Sequence, residues 1–349
     1  MSINKSRFNL NFERSSQLTT NDHILGTLYG QAIGDAMGMP AELWPVGKIQ
    51  NQFGRITTFL DGPANNDIAR HFTKGQYTDD THQALAILDA LIETHWIPDQ
   101  TALVHHILTW AEAVHSWENN VLGPSSKAAL TAIRKGEDPT PFTTTALTSG
   151  AGMRIAPIGA LFSPHQLPQL VDMVVQITRI THATDVALAG AAMIAGATCA
   201  AVDDQSWDQI IQVALAANDL AFQQGAPTWA ARTHDRLRLA LQLADQYRDD
   251  EVGFATAIYT LIGTGTMVSE SIPAAVAIAY FTRDVKRCAL LCANLGGDTD
   301  TIGAMATAIC GAKNGLHTIS PDWITLIETA NPKHDLTTYA NEIAQFSVR

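Results

Sequence analysis

Two acidic segments, far apart in the chain, hold the residues best suited to chemistry. Thr78-Asp79-Asp80-Thr81 precedes one apolar helical run, and Asp298-Thr299-Asp300-Thr301 precedes another, Ile302 to Cys310, which has almost no polar face. A helix without a polar face is buried on most sides, so the carboxylates at its start enter the core with it. No Lys or Arg lies between positions 76 and 126 or between 288 and 312, so no neighbour in sequence can neutralise these carboxylates.

Buried carboxylates need a counter-charge, because unpaired charges are costly to remove from water. If the two segments face each other, they form a cation site whose ligands are all oxygen atoms: Thr78, Asp79, Asp80, Asp298, Asp300 and Thr301. Such ligands favour a hard cation, magnesium or manganese before zinc. The alternative is that each aspartate pair caps its own helix and complements the helix dipole. The near match between the two segments favours the shared cation site.

Together with Gly34-Asp35-Ala36-Met37-Gly38, the two acidic segments resemble the three signature blocks of the ADP-ribosylglycohydrolase family. The resemblance extends from about His23 to about Ala330. It implies a hydrolase in which two divalent cations, Mg or Mn, hold the ribose while an activated water attacks the anomeric carbon. It also implies that Asp80 or Glu42 positions or deprotonates that water. The alternative for Glu42 is an ordinary solvated loop carboxylate.

The same resemblance implies three groups of substrate-binding residues. They are Gly123 and Ser125 near the distal ribose, Ser149, Gly150 and Gly152 in a glycine-rich loop at the diphosphate, and His182 in the wall of the cleft. Glycine lets backbone N–H groups approach a phosphate closely. The alternatives are a plain helix–helix turn around Gly123 and a capping or buried, hydrogen-bonded histidine at position 182. Relatives often have Asn where this chain has Ser149.

The periodicity of the chain predicts an all-α protein. Every convincing element is helical, no period-2 run lies inside the core, and no fixed-length repeat occurs. We expect one compact multihelical domain over residues 21–349, beginning with a helix that is capped by Asn21 or Asp22 and ends near Met37.

Glycine recurs at every fourth position of that first helix, at Gly26, Gly30, Gly34 and Gly38. Each helical glycine costs about 1 kcal/mol relative to alanine. The stripe therefore predicts that another helix or a ligand lies very close to this face.

Residues 1–20 form an extension that the family core does not account for. Phe8-Asn9-Leu10-Asn11-Phe12 alternates apolar and polar residues, which suits an extended segment that docks on a partner. The alternative is a disordered tail. Some proteins that resemble ADP-ribosylglycohydrolases act as immunity proteins, so this arm could bind an ADP-ribosylating toxin.

The composition narrows the class of partner and the compartment. The chain has 34 acidic and 22 basic residues and no Lys/Arg cluster, which argues against binding to nucleic acid or to an anionic membrane. All four cysteines lie in apolar helical runs and are expected to be reduced core thiols. The N-terminus has no apolar leader, and acidic residues flank the apolar run from Val186 to Val202. We therefore expect a cytoplasmic protein without a membrane span.

Three functions follow from these observations. The first is hydrolysis of ADP-ribosyl-arginine on an ADP-ribosylated protein substrate, which would reverse ADP-ribosylation. The second is an immunity-type binding protein that sequesters a toxin through residues 1–20. The third is hydrolysis of a small ribosyl glycoside, because the acidic motifs specify ribose and metal better than they specify the leaving group, which could be arginine, serine, acetyl or a small aglycone.

Overall fold

The structure, a computed structural model, describes the backbone of residues 4–119 and 121–347 and the side chains of these ranges from Thr20 onwards. Within these ranges it contains seventeen α-helices and no β-strand. The helices are α1 Asn4–Gly38, α2 Val46–Phe53, α3 Asp79–Glu93, α4 Gln100–Ala113, α5 Pro124–Arg134, α6 Thr140–Thr143, α7 Ala156–Gly159, α8 Leu167–Thr178, α9 Asp185–Val202, α10 Trp207–Phe222, α11 Thr233–Gln246, α12 Glu251–Ala257, α13 Val268–Thr282, α14 Val285–Ala293, α15 Thr299–Asn314, α16 Pro321–Ala330 and α17 Leu336–Phe346. The prediction of an all-α protein is confirmed.

The first helix is longer than the sequence predicted. Helix α1 passes through the expected cap at Asn21 and Asp22, and Asp22 instead accepts hydrogen bonds from the backbone N–H and the ring of His317. The segment Phe8-Asn9-Leu10-Asn11-Phe12 also lies within α1, so the prediction of an extended conformation there is wrong. The side chains of residues 1–19 lie outside the described part, and a partner-binding role for this extension stays a prediction.

The glycine stripe of α1 packs directly on α15. A Cβ atom built on Gly26, Gly30, Gly34 or Gly38 would overlap a backbone carbonyl oxygen of α15. At Gly34 the overlap is with Gly303, itself a glycine. The predicted close neighbour is therefore a helix, and it is the one that begins with the second acidic segment. Backbone contact between α1 and α15 sets the position of Asp35 relative to Asp300.

Helix α9 lies at the centre of the molecule, where it packs against α7, α8, α10, α13 and α15. It is long and apolar enough to cross a membrane, but all of its residues are buried inside the fold, as in the core helix of a globular protein. The four cysteines are free and buried, as predicted. The hydrophobic core extends from α9 to both acidic helices.

Candidate functional site

The two acidic segments meet in the interior of the fold. Carboxylate oxygens of Asp35, Asp80 and Asp300 lie within 4.8 Å of one another, and those of Glu42, Asp298 and Asp300 form a second group within the same distance. Asp300 belongs to both groups. The structure thus brings helices α1, α3 and α15 and the turn after α1 to one acidic centre, which we call the acidic cluster.

Asp35 organises the start of α3. Its Oδ1 accepts hydrogen bonds from the backbone N–H and the hydroxyl of Thr78, both at 2.8 Å. Its Oδ2 accepts from the N–H and the hydroxyl of Thr81, at 3.1 and 2.6 Å. Because Asp35 satisfies two free N–H groups of this helix end, an aspartate from α1 caps α3 across the interface.

The side chains at the starts of α3 and α15 do not cap their own helices. Neither Thr78, at the N-cap of α3, nor Asp298, at the N-cap of α15, accepts a side-chain capping hydrogen bond. Asp80 Oδ1 and Asp300 Oδ1 are buried and have no hydrogen-bond partner among the described residues. The capping alternative is therefore wrong for these side chains, and two carboxylate oxygens are left available to a ligand.

Burial raises the pKa of every carboxyl group in the cluster. For Asp35 the pKa rises to about 8, through desolvation and then repulsion by Asp80. The pKa of Asp298 rises to about 7 for the same two reasons, and desolvation raises that of Asp80 to about 6. Desolvation, followed by repulsion from neighbouring carboxylates, also raises the pKa of Glu42 and Asp300 well above the ordinary range. The cluster thus cannot be fully ionised at neutral pH without a positive partner.

A hard divalent cation fits this environment. The donor atoms are all oxygen, the charge is negative, and two buried oxygens lack a partner. Thr301, which is buried, lowers the pKa of Asp80 and of Asp298 with its hydroxyl, and the Thr78 hydroxyl donates to Asp80 Oδ2 at 3.0 Å. Five of the six predicted ligands therefore lie at the cluster.

The sixth predicted ligand, Asp79, is in a different environment. Its Oδ2 accepts a hydrogen bond from Gln83 Nε2 at 3.0 Å, and the residue lines a neighbouring cavity of about 350 Å³. Desolvation and then repulsion by Asp80 raise its pKa. Asp79 therefore lies between the acidic cluster and this cavity. Asp35, which lies in the first signature block but was not predicted as a ligand, also belongs to the cluster.

Glu42 is not a solvated loop carboxylate. It is half-buried in the turn after α1, and its carboxylate belongs to the group with Asp298 and Asp300. The turn is tied to the second acidic segment by two backbone hydrogen bonds, from Leu43 N–H to the Gly297 carbonyl at 2.8 Å and from Gly297 N–H to the Trp44 carbonyl at 2.9 Å. These bonds hold Glu42 beside Asp298.

The glycine-rich loop adjoins the acidic cluster. Ser149 Oγ donates to Asp298 Oδ2 at 3.4 Å, and Ser149 N–H donates to the Thr266 carbonyl at 2.9 Å. A Cβ atom on Gly150 would lie 3.1 Å from the ring of His182, so glycine permits this close packing. Gly152 faces Ile272, which gives it a packing role in the structure.

The other predicted substrate residues border the same region. Gly123, at the N-cap of α5, is exposed and has open space around it. Ser125 accepts a hydrogen bond from the Thr148 hydroxyl at 2.9 Å. His182 is fully buried, and its two ring nitrogens lie 2.8 Å from Thr181 Oγ1 and 3.0 Å from Thr148 Oγ1. It is therefore a hydrogen-bonded core histidine, and the cap of α9 is Thr184.

Arg154, which sequence reasoning did not identify, is a buried cation near Asp79. Burial lowers the pKa of the Arg154 guanidinium to about 10, and the negative charge of Asp79 acts in the opposite direction and raises that pKa. It is the cation in the Met-Arg pair that ends the glycine-rich block. A search for a basic residue in a predicted core segment could have found it.

Comparisons with known proteins bear on the family and the fold of this chain. The family pattern described as ADP-ribosylglycohydrolase matches residues 16–348. A protein of Escherichia coli (strain K12), named uncharacterized protein YegU, is 41% identical over 93% of this chain and 97% of its own length. The ADP-ribosyl-dinitrogen reductase glycohydrolase of Rhodospirillum rubrum is 23% identical over 89% of this chain and 92% of its own. A solved structure titled ADP-ribosylglycohydrolase-related protein complex shares the fold with a TM-score of 0.68 and 22% identity, covering 94% of this chain and 99% of that chain.

Proposed function

Because this chain belongs to the ADP-ribosylglycohydrolase family, we propose that it hydrolyses the bond between ADP-ribose and arginine on a modified protein, thereby reversing ADP-ribosylation. The observation that carries the proposal is the contact between Ser149 and Asp298. It places the glycine-rich loop, which the family resemblance assigns to the diphosphate, directly beside a buried acidic cluster suited to cations. A ligand with both a diphosphate and a ribose matches that arrangement.

In this proposal two divalent cations, Mg or Mn, bind at the two carboxylate groups. Asp35, Asp80 and Asp300 would hold one, and Asp298 and Asp300 the other, with the Glu42 carboxylate beside it. When bound, such ions orient ribose hydroxyls and stabilise negative charge that develops on oxygen. The side chains of Asp35, Asp80 and Asp300 are all at most 1% exposed.

Glu42 is the better candidate for handling the attacking water. A general base must reach the attacking water, and Glu42 is half-buried on a turn whereas Asp80 is 0% exposed. The raised pKa of Glu42 makes its carboxylate a stronger base than an exposed glutamate. Asp80 would then hold a cation and keep the Thr78 hydroxyl in place.

Hydrolysis assays on ADP-ribosyl-arginine and ADP-ribosyl-serine peptides, with Mg or Mn and with a chelator, test the proposal. We expect release of ADP-ribose from the arginine peptide, loss of release with chelator, and no release by the double variant Asp79→Ala/Asp80→Ala. Asp67→Asn, which changes an exposed carboxylate, is the matched control and should be fully active. An active, metal-independent double variant would refute the scheme.

The cavity beside Asp79 favours a second candidate, hydrolysis of a small ribosyl glycoside with a planar heterocyclic aglycone. The rings of Tyr77, His82 and Trp110 line this cavity of about 350 Å³. Trp110 Nε1 is buried and has no hydrogen-bond partner among the described residues, so it could donate to a heterocycle, and aromatic walls suit a flat ring.

Trp110→Ala separates the two candidates. If the aglycone of a small glycoside occupies the cavity, this substitution should lower kcat/KM for the small glycoside by about tenfold or more, with a much smaller effect on the arginine peptide. Trp229→Ala, at a side chain that is 89% exposed, is the control. Equal effects on both substrates would exclude a separate role for the cavity in binding the aglycone.

A further inference from the structure

Two chains of hydrogen bonds meet at the guanidinium of Arg154. We propose that Arg154 is a positioning residue that fixes the direction of both chains, one ending at Asp79 and the other at Ser125. The reason is chemical: a guanidinium donates hydrogen bonds and accepts none. Each group that it touches must act as an acceptor, and this constraint passes from one group to the next.

The first chain leads to Asp79. Arg154 Nη1 donates to Gln83 Oε1, which sets the orientation of the Gln83 amide. The amide nitrogen, Gln83 Nε2, then donates to Asp79 Oδ2 at 3.0 Å. This end of the chain presents a donor to Asp79, so Asp79 Oδ2 must act as an acceptor.

The second chain leads to the loop before α5. Arg154 Nη2 donates to Thr181 Oγ1 at 2.6 Å, so the hydroxyl of Thr181 has its own proton free to donate to His182 Nδ1, 2.8 Å away. The neutral His182 ring must then carry its proton on Nε2 and donate it to Thr148 Oγ1 at 3.0 Å. Thr148 in turn donates to Ser125 Oγ at 2.9 Å.

The protonation states of the two ionisable members agree with this direction. Burial and then the charge of Arg154 lower the pKa of His182 to about 3, so its ring is neutral at physiological pH. The pKa of Arg154, about 10, keeps the guanidinium charged under the same conditions. The chain therefore contains one cation, at its origin, and neutral donors beyond it.

The consequence is at Ser125, which is half-buried in the first turn of α5. Ser125 accepts from Thr148 and donates to no acceptor among the described residues. Its proton is therefore free for a ligand, and it selects an acceptor such as a phosphate or hydroxyl oxygen. That the ligand is ADP-ribose rests on the proposed function; the direction of the chain does not.

Substitution of Thr181 by Val breaks the second chain and leaves Arg154 in place. Thr178→Val is a matched control, because Thr178 lies three residues earlier, is also buried, and its hydroxyl has no hydrogen-bond partner among the described residues. Two readouts apply: the tautomer of His182 from ¹⁵N chemical shifts of histidine-labelled protein, assigned with a His182→Asn variant, and the Kd of ADP-ribose by calorimetry.

We expect the wild-type protein and Thr178→Val to hold His182 with its proton on Nε2 and to bind ADP-ribose equally. Thr181→Val should lose the fixed tautomer and raise the Kd about tenfold, the value of one hydrogen bond to a charged group. Arg154→Lys, which keeps a donor-only cation, should retain the Nε2 tautomer, whereas Arg154→Gln should not.

Two results would overturn the inference. One is a wild-type His182 with its proton on Nδ1; the other is a Thr181→Val protein whose tautomer and Kd match those of Thr178→Val. Failure of the wild-type protein to bind ADP-ribose would refute the proposed function instead, because the tautomer is measured without any ligand.

Discussion

Adding a divalent cation should stabilise the protein at pH 8 and have almost no effect at pH 5. The reason is the raised pKa of the acidic cluster. The ordinary value of 3.8 applies to the unfolded chain, and the folded values are about 6 for Asp80, 7 for Asp298 and 8 for Asp35. Because the folded pKa exceeds the unfolded one, the cation-free fold is favoured at low pH and loses stability as the pH rises from about 4 to about 8. A bound cation compensates for this loss.

The size of the effect follows from competition between protons and the cation. At pH 5 a cation held by Asp35, Asp80 and Asp300 must displace a proton from Asp35, at a cost of about a thousandfold in affinity, and one from Asp80, at about tenfold. Because Asp35 is already about half-protonated at pH 8, the apparent Kd rises by about a thousandfold or more between pH 8 and pH 5. A cation present at 100 times its Kd at pH 8 stabilises the fold by about 2.7 kcal/mol. For a chain of 349 residues this corresponds to a rise in Tm of about 4 °C.

Differential scanning fluorimetry with Mg²⁺ or Mn²⁺ at both pH values measures this difference, with K⁺ at equal ionic strength as the control. Asp300→Asn removes the carboxylate that both groups share and should abolish the rise in Tm at pH 8. Equal rises at pH 5 and pH 8, or an unchanged rise in Asp300→Asn, would show that the cation binds elsewhere.

Two further substitutions test the roles of single residues. Glu42→Gln should lower kcat on the arginine peptide by about a hundredfold or more, the usual contribution of a general base, with Tm unchanged; near-normal turnover would remove Glu42 from the mechanism. Gly34→Ala should destabilise the fold by about 3 kcal/mol in urea unfolding, since its Cβ would overlap the Gly303 carbonyl. Gly47→Ala, on an exposed face with nothing within 4 Å, is the control and should be neutral or stabilising, so a similar loss in both variants would contradict the close-packing argument.

The sequence predicted the acidic cluster because its signal is local. Two apolar helices begin with carboxylates and have no basic neighbour in sequence, so both sets of buried carboxylates need a positive partner. This need can be recognised from residue types alone. The glycine stripe of α1 was equally informative, since four glycines on one helix face indicate a close backbone contact. The identity of the partner helix depends on tertiary packing and could be seen only in the structure.

The contributions of Asp35 and Arg154 could not be predicted in the same way. Asp35 lies on α1, and its four hydrogen bonds all go to residues more than forty positions later. Arg154 reaches Gln83, which lies 71 positions earlier, and Thr181, which lies 27 positions later. Nothing in the local pattern of either residue specifies such partners. The start of α1 was misplaced for a related reason: Asn21 and Asp22 are good caps by type, but here they lie inside a longer helix.

The contact between α1 and α15 also determines when activity can first appear during synthesis. Asp35 of the acidic cluster lies in α1 and Asp300 in α15, so a growing polypeptide on the ribosome cannot assemble the cluster until α15 has emerged. A contact between helices so far apart in sequence slows folding, and the apolar surface of α1 stays exposed until α15 packs on it. A fragment truncated before α15 would therefore be both inactive and prone to aggregate. Chaperones and proteases would treat it as a misfolded chain.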